Sequence, residues 1–233
     1  MTQKGTVFYR YERKFLVDQL DKHQAKALIK RHPSLFYEPY PPRYINNFYL
    51  DTPEMDNYFD NVGGAGTRRK VRIRWYGDLF GHINKPILEF KIKRGLVGTK
   101  KQYDFPGFNV EKGYCDKYLM ERIIESDLPI EVKTTLQDQN VVLLNRYYRR
   151  YFATKDGSYR VTLDTAMDFY RIDRLNNTFT HKQRDYRNIV VELKYDVEHD
   201  ISAFKVSSFF PFRMTKSSKY VQGIERVYFW IRI

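Results

Sequence analysis

Arginine, lysine and glutamate recur at every second position along several stretches of this chain, with apolar residues in the gaps. Arg10, Glu12 and Lys14 form the first set, and Lys70, Arg72 and Arg74 follow around Val71, Ile73 and Trp75. Glu89, Lys91 and Lys93 alternate with Leu88, Phe90 and Ile92. Arg160, Thr162 and Asp164 alternate with Val161 and Leu163, and Glu192 and Lys194 with Val191, Leu193 and Tyr195. These residue types suit phosphate chemistry. Arg presents a rigid fork that binds phosphate oxygens in pairs, and Lys a compact charge. Phosphoryl transfer asks mainly for positioning, neutralisation of the equatorial oxygens and a divalent metal bridging phosphates. Mg²⁺ or Mn²⁺ prefers oxygen ligands and keeps several waters, so one or two carboxylates suffice. Glu192, beside Lys194, is the leading candidate ligand, with Glu12 and Glu89 next; each is equally readable as a salt-bridge partner.

A period of two is the mark of a β-strand, whose side chains point alternately to opposite faces. One face of the resulting sheet is apolar and the other ionic, dominated by cations. An ordinary antiparallel sheet with one solvated face alternates in the same way. Solvated faces, however, usually mix Thr, Ser, Gln and both charge signs, whereas Arg and Lys dominate here. Set side by side, so many cations repel unless counter-charge sits among them. The glutamates supply part of that charge, and a bound polyanion would supply the rest. If the ionic face curls into a closed barrel, it becomes a tunnel for a long polyanion.

The 233 residues fit one large β-rich domain over residues 1–233, since barrels of this length commonly form a single unit. Twenty Tyr and seventeen Phe favour sheet over helical bundle. The net charge of +13 predicts an acidic partner: nucleic acid, anionic membrane or a phosphate-rich small molecule. Cys115 is the single cysteine, so a reducing compartment is expected. No signal-peptide core follows Met1, and no run approaches the roughly 20 apolar residues of a membrane helix. Cytoplasmic residence is the expectation.

Strands are predicted at 6–17, 43–51, 68–76, 86–94 and 99–106, the last two forming a hairpin around Gly95 and Gly98. More follow at 146–154, 158–164, 167–172, 179–182 and 188–195, and Tyr228–Ile233 reads as a closing strand. Helical periodicity marks 18–31 with Asp18 as cap, a short helix after Pro53 capped by Thr52, then 111–125 and 130–144, and a last helix at 200–208 or 216–226. The expected fold is α+β: a closed antiparallel eight-stranded barrel with helices packed outside.

Ordered motifs add a resemblance. Arg10-Tyr-Glu-Arg-Lys-Phe15, Tyr49-Leu-Asp-Thr-Pro53, Lys70-Val-Arg-Ile-Arg-Trp-Tyr-Gly77 and Leu88-Glu-Phe-Lys-Ile-Lys-Arg94 come first. Tyr148-Arg-Arg-Tyr-Phe152, Arg160-Val-Thr-Leu-Asp-Thr165, Val191-Glu-Leu-Lys194 and Ser217-Ser-Lys-Tyr-Val-Gln-Gly-Ile224 follow. In this order they resemble the VTC domain, the polyphosphate-polymerase branch of the triphosphate tunnel metalloenzymes (the CYTH-like superfamily). The resemblance implies a tunnel whose inward Lys and Arg hold triphosphate or polyphosphate together with Mn²⁺ or Mg²⁺. It marks Lys14, Arg72, Arg74, Lys91, Arg149 and Arg160 as phosphate contacts, Glu192 as metal ligand, and Ser218 and Lys219 as a Ser-Lys pair set at the tunnel by a C-terminal helix. Lys100 or Lys101 fills one more basic position, and Lys101, Arg10, Lys70, Lys93 and Lys194 are expected substrate contacts. The superfamily's founding motif has two glutamates and a lysine at alternate positions; here the first glutamate position is Arg10, which suits a more cationic tunnel. The SPX domain and membrane helices of eukaryotic relatives are not in the sequence, so regulation and export are not implied.

The expected function is a metal-dependent phosphotransferase passing the γ-phosphoryl group of a nucleoside triphosphate to a polyphosphate chain. An anionic terminal phosphate needs no general base, and His23, His32, His82, His181 and His199 are scattered, as structural or exposed residues would be. Hydrolysis of inorganic or nucleoside triphosphate in the same tunnel is the alternative, followed by a non-catalytic polyphosphate-binding barrel. A nucleic-acid-binding barrel with stacking aromatics shares the composition, but no nucleic acid is expected as partner.

Overall fold

The computed structural model describes residues 9–228. In chain order they form β1 (Arg10–Val17), α1 (Lys22–Lys30), β2 (Arg43–Asp51), α2 (Asp56–Val62), β3 (Thr67–Tyr76), β4 (Gly81–Ile83), β5 (Ile87–Arg94), β6 (Val97–Asp104) and β7 (Phe108–Val110). Next are α3 (Asp116–Glu125), α4 (Ile130–Gln137), β8 (Asn140–Ala153), β9 (Tyr159–Arg171), β10 (Lys182–Asp185), β11 (Ile189–Asp196), α5 (Asp200–Ser208) and α6 (Lys219–Val227).

Eight strands close on themselves in the order β9-β11-β1-β6-β5-β3-β2-β8, and β8 returns to β9; every pairing is antiparallel. β10 lengthens the sheet beside the far half of β9, and β4 with β7 make a small separate ladder. The seam between β1 and β6 is held by one pair among the described residues, Arg10 opposite Gly98. Farther along β1 the neighbour is instead the segment leading to α6: Phe15 bridges Met214, and the Thr215 N–H donates to the Lys14 carbonyl at 2.8 Å.

The apolar residues of the alternating strands face outward and are covered by helices. Phe48, Ile73, Trp75 and Leu88 pack with Leu119 and Ile123 of α3 and Leu136 of α4. Phe15, Val161, Val191 and Leu193 pack with Ala25 and Ile29 of α1 and Val206 of α5. α6 behaves differently. Its Tyr220, Ile224 and Val227 contact Tyr49, Leu143, Tyr147, Met167, Phe169 and Val190, which are inner-face residues of β2, β8, β9 and β11. Gly223 lets the helix approach: a Cβ there would stand 2.4 Å from Leu143 Cδ2 and 2.7 Å from Phe169 Cδ1. α6 therefore fills one half of the barrel with apolar packing, and the ionic lumen occupies the other half.

Several boundaries differ from the sequence expectation. The cap of α1 is Asp21, whose carboxylate accepts the N–H groups of His23 and Gln24 while Gln24 bonds back. The helix expected over 130–144 stops at Gln137, and residues 140–144 begin β8. Val141 and Leu144 face the outer core and Val142 and Leu143 the inner one, so a strand buried on both faces shows no alternation. Strands 158–164 and 167–172 are one strand, β9, in which Ala166 takes a positive φ of 51°. That irregularity turns both Asp164 and Met167 inward. Both alternatives for the last helix form. The expected closing strand falls largely on residues 229–233, outside the described residues; closure comes from β8 pairing with β9.

Candidate active site

Side chains from strands that are not neighbours meet, which shows where they point. Lys91 of β5 bonds both oxygens of Glu12 on β1, at 2.9 and 2.7 Å, across the intervening β6. Arg149 of β8 stands 3.8 Å from Glu192 of β11, across β9. The charged residues of the alternating strands thus face the lumen.

Two acid-centred clusters organise it. In the first, Asp164 receives Arg149 through two bonds of 2.6 Å, and Lys219 at the start of α6 at 2.6 Å. Glu192 beside it is ringed by Lys194 at 2.8 Å, Lys14 at 3.5 Å and Lys219 at 3.6 Å. In the second, Glu89 is 1% exposed and is held by Arg72 at 2.6 Å, Lys100 at 3.1 Å, Gln102 at 2.8 Å and Arg74 at 3.5 Å. Arg74 also donates to Asn47 at 3.1 Å and to the Tyr147 hydroxyl at 3.4 Å. Between the clusters, Lys70 donates to Ser218 Oγ at 2.8 Å and Lys14 to the Ser217 carbonyl at 2.9 Å. Ser218 is at once the N-cap of α6, accepting the Val221 N–H.

Cations outnumber acids on this surface, and the charge balance shows it. Burial would raise Glu12, yet Lys91, Lys194 and Lys14 hold it far below the usual carboxylate range. Glu192 is depressed in the same way by Lys194, Lys14, Lys219 and Arg149, and Glu89 by Arg72, Arg74 and Lys100. Two of the lysines, Lys91 and Lys70, are lowered as well, which disfavours their charged form. Burial pulls Lys91 down to about 8, with Lys14 adding to the effect and Glu12 opposing it. Lys70 falls well below its ordinary value through burial and the charges of Lys14, Lys91, Arg68 and Arg72. Its hydrogen-bond partner is a serine hydroxyl, and no carboxylate forms an ion pair with it among the described residues.

Among the described residues no group of three or more His, Cys, Asp or Glu side chains is placed to hold a metal ion. Glu192 and Glu12 lie close enough to feel each other's charge, but the oxygens of both are already faced by cations. Each of these carboxylates is one isolated oxygen donor group among cations, able to add a ligand only to an ion carried in by phosphate oxygens. The set does not fit an ion held by protein groups alone.

Lys14, Arg72, Arg74, Lys91, Arg149 and Lys219 all stand in the lumen, with Lys70, Lys194 and Ser218. Arg10 and Arg160 sit at the rim and share Asp196, at 3.0 and 3.8 Å. Lys93 lies at the other side, near Arg68 and Lys216. Lys101 is a correction: the β5–β6 register sets it opposite Phe90, on the outer face, while Lys100 stands opposite Lys91 and reaches Glu89. The two-residue turn Gly95–Leu96 fixes that register, and one residue of slip exchanges the faces. Sequence reasoning passed over Asp164 as a member of the site, although its alternation with Thr162 was visible. It also missed Asn47, Tyr49 and Tyr147, whose polar ends complete the arginine contacts and whose strands carry no charge alternation there.

The family model of the VTC domain matches residues 9–228. Among solved structures, HpAC1 from Hippeastrum, described by its dominant triphosphatase activity, is 13% identical, with 94% of this chain and 95% of that chain covered and a TM-score of 0.52. The PH1819 protein from Pyrococcus horikoshii OT3 is 10% identical, with 92% and 96% covered and a TM-score of 0.46. No curated protein matches the chain.

Proposed function

Because this chain belongs to the VTC domain family, we propose that its half-filled barrel binds a nucleoside triphosphate and a polyphosphate chain in the basic lumen and transfers the γ-phosphoryl group to the chain end. The observation that carries this reading is the convergence of Arg72, Arg74, Lys91, Arg149 and Lys219, from three strands and α6, on one enclosed surface with too few acids to balance them. Lys70, paired with a serine hydroxyl and not with a carboxylate, is a position where an added negative charge would meet an unneutralised cation.

The residues divide the work by position. Arg72, Arg74 and Arg149, held rigid by Glu89 and Asp164, present forks to phosphate oxygens. Lys14, Lys91 and Lys219 neutralise charge on a partly to fully buried surface, so each contact is stronger than at an open one. Arg10, Arg160 and Lys93 line the approaches, and Lys194 adds a cation beside Glu192 in the lumen. Glu192 would hold a divalent ion shared with the phosphates, which would shield their charge and link neighbouring groups. The attacking phosphate oxygen is already anionic, so no side chain need remove a proton, and no histidine stands among the lumen residues described.

Incubation with ATP and Mn²⁺, followed by a polyphosphate gel, tests the reading, with Glu192→Ala as control. Time-dependent growth of long chains is expected, lost in the variant. Release of orthophosphate alone would replace this reading with triphosphate hydrolysis, the activity named for the Hippeastrum protein that shares the fold. Tight polyphosphate binding without turnover would leave a binding barrel.

A further inference from the structure

We propose that the tyrosine–arginine rim at the open end of the lumen, formed by Tyr40, Arg43, Tyr76 and Tyr151, is a stacking platform for the nucleobase of a nucleoside triphosphate. The inference rests on the reading of the lumen as a triphosphate site and adds where the rest of the nucleotide lies.

Strand parity puts these residues on the line of the phosphate contacts. Tyr76 follows Arg74 by two residues on β3, and Tyr151 follows Arg149 by two on β8, so each is on the same face about 7 Å farther out. Arg43 of β2 stands opposite Arg149. Its guanidinium lies 3.9 Å from the Tyr76 ring centroid and 5.3 Å from that of Tyr151, and its Nε donates to the Tyr151 hydroxyl at 3.2 Å. Tyr40, from the proline-rich segment before β2, stands edge-on to Tyr151 at 6.1 Å and close enough to Arg160 to bear on its charge. The rim is therefore continuous with the basic lining.

The packing of Arg43 between two rings explains how the linker before β2 is fastened to the wall. It leaves the exposure of the outer rings unaccounted for: Tyr40 is 65% exposed and Tyr76 39% exposed. A base is flat, apolar on its faces and able to stack on tyrosine or on a guanidinium plane. With the triphosphate reaching inward to Arg74 and Arg149, the nucleoside emerges one pleat farther out, where these rings stand. Because every base has a π-face, the platform favours nucleotides over inorganic triphosphate while discriminating weakly among bases.

The test measures metal-free binding of ATP and of inorganic tripolyphosphate by calorimetry to the full chain and to Tyr40→Ala, Tyr76→Ala and Tyr40→Phe, with thermal unfolding as the folding control. Loss of one stack should weaken ATP roughly 5–150-fold in the alanine variants, leave tripolyphosphate within about twofold, and spare Tyr40→Phe. Unchanged ATP binding, or equal weakening of both anions, would overturn the platform alone. A wild-type protein that binds neither anion would remove the lumen reading beneath it as well.

Discussion

Arg149 and Asp164 stand opposite one another on β8 and β9 and join through two parallel bonds, Nε to Oδ1 and Nη2 to Oδ2, both 2.6 Å, inside the barrel. Lys219 reaches the same carboxylate from α6. One fully buried acid thus ties the barrel wall to the helix that fills it, and holds two cations where phosphate is proposed to bind.

Asp164→Asn removes the nearest shared counter-charge of buried Arg149 and Lys219 and leaves them only the more distant Glu192. Breaking such a pair typically destabilises by about 3–5 kcal/mol. Saturating tripolyphosphate should restore more thermal stability to the variant than it adds to the wild type, because the phosphate replaces the missing charge. Equal ligand-induced gains in the two proteins would count against this account of the cluster.

Arg74→Ala removes a charged fork aimed into the lumen, and tripolyphosphate affinity should fall roughly 10–150-fold, the range for a lost charge-assisted contact. Turnover should fall at least as far. Lys101→Ala is the matched control on the outer face, opposite Phe90, and should bind like wild type. A comparable loss in both variants would mean that net charge alone governs binding.

In the free protein Lys91 gives up its proton near pH 8, because burial lowers it to about 8. A bound anion favours the charged form and raises that value again. Above pH 8, binding should therefore take up protons, visible as a dependence of the calorimetric heat on the ionisation enthalpy of the buffer. Lys91→Arg, which stays charged, should show measurably less uptake. Identical uptake in both proteins would exclude Lys91 as the titrating group.

Glu192→Gln takes one negative charge from among Lys14, Lys194, Lys219 and Arg149. Metal-free tripolyphosphate binding should tighten, by about tenfold for a contribution near 1.4 kcal/mol, while metal-dependent turnover falls. Full metal-dependent activity in the variant would rule out Glu192 as a ligand.

Gly223→Ala drives a methyl group into Leu143 and Phe169, both fully buried inner-wall residues. Overpacking of this kind commonly costs about 1–3 kcal/mol, so the melting temperature should drop by roughly 2–12 °C. An unchanged midpoint would show that α6 is held less tightly than the packing indicates.

How far the sequence could be read follows from what each feature depends on. Charge alternation in β1, β3, β5 and β11 identified the inner-face residues, because side-chain parity is a property of the local backbone. It failed in residues 140–144, where both faces are apolar, and at Ala166, where a left-handed residue resets the parity of β9. Lys100 and Lys101 were inseparable for a related reason: two lysines in succession always put one on each face, and the hairpin register decides which.

By itself the sequence determined the strand-rich class, the basic inner face and the residues that could share it, since composition and a period of two need no knowledge of neighbours. Tertiary structure alone decided that Lys91 meets Glu12, 79 residues away, that Asp164 joins Arg149 to Lys219, and that α6 fills half the barrel. Those outcomes depend on how the strands are staggered around the closed sheet and on which apolar surface is buried against which. Both are settled by packing and charge pairing between segments distant along the chain, and no local pattern carries them.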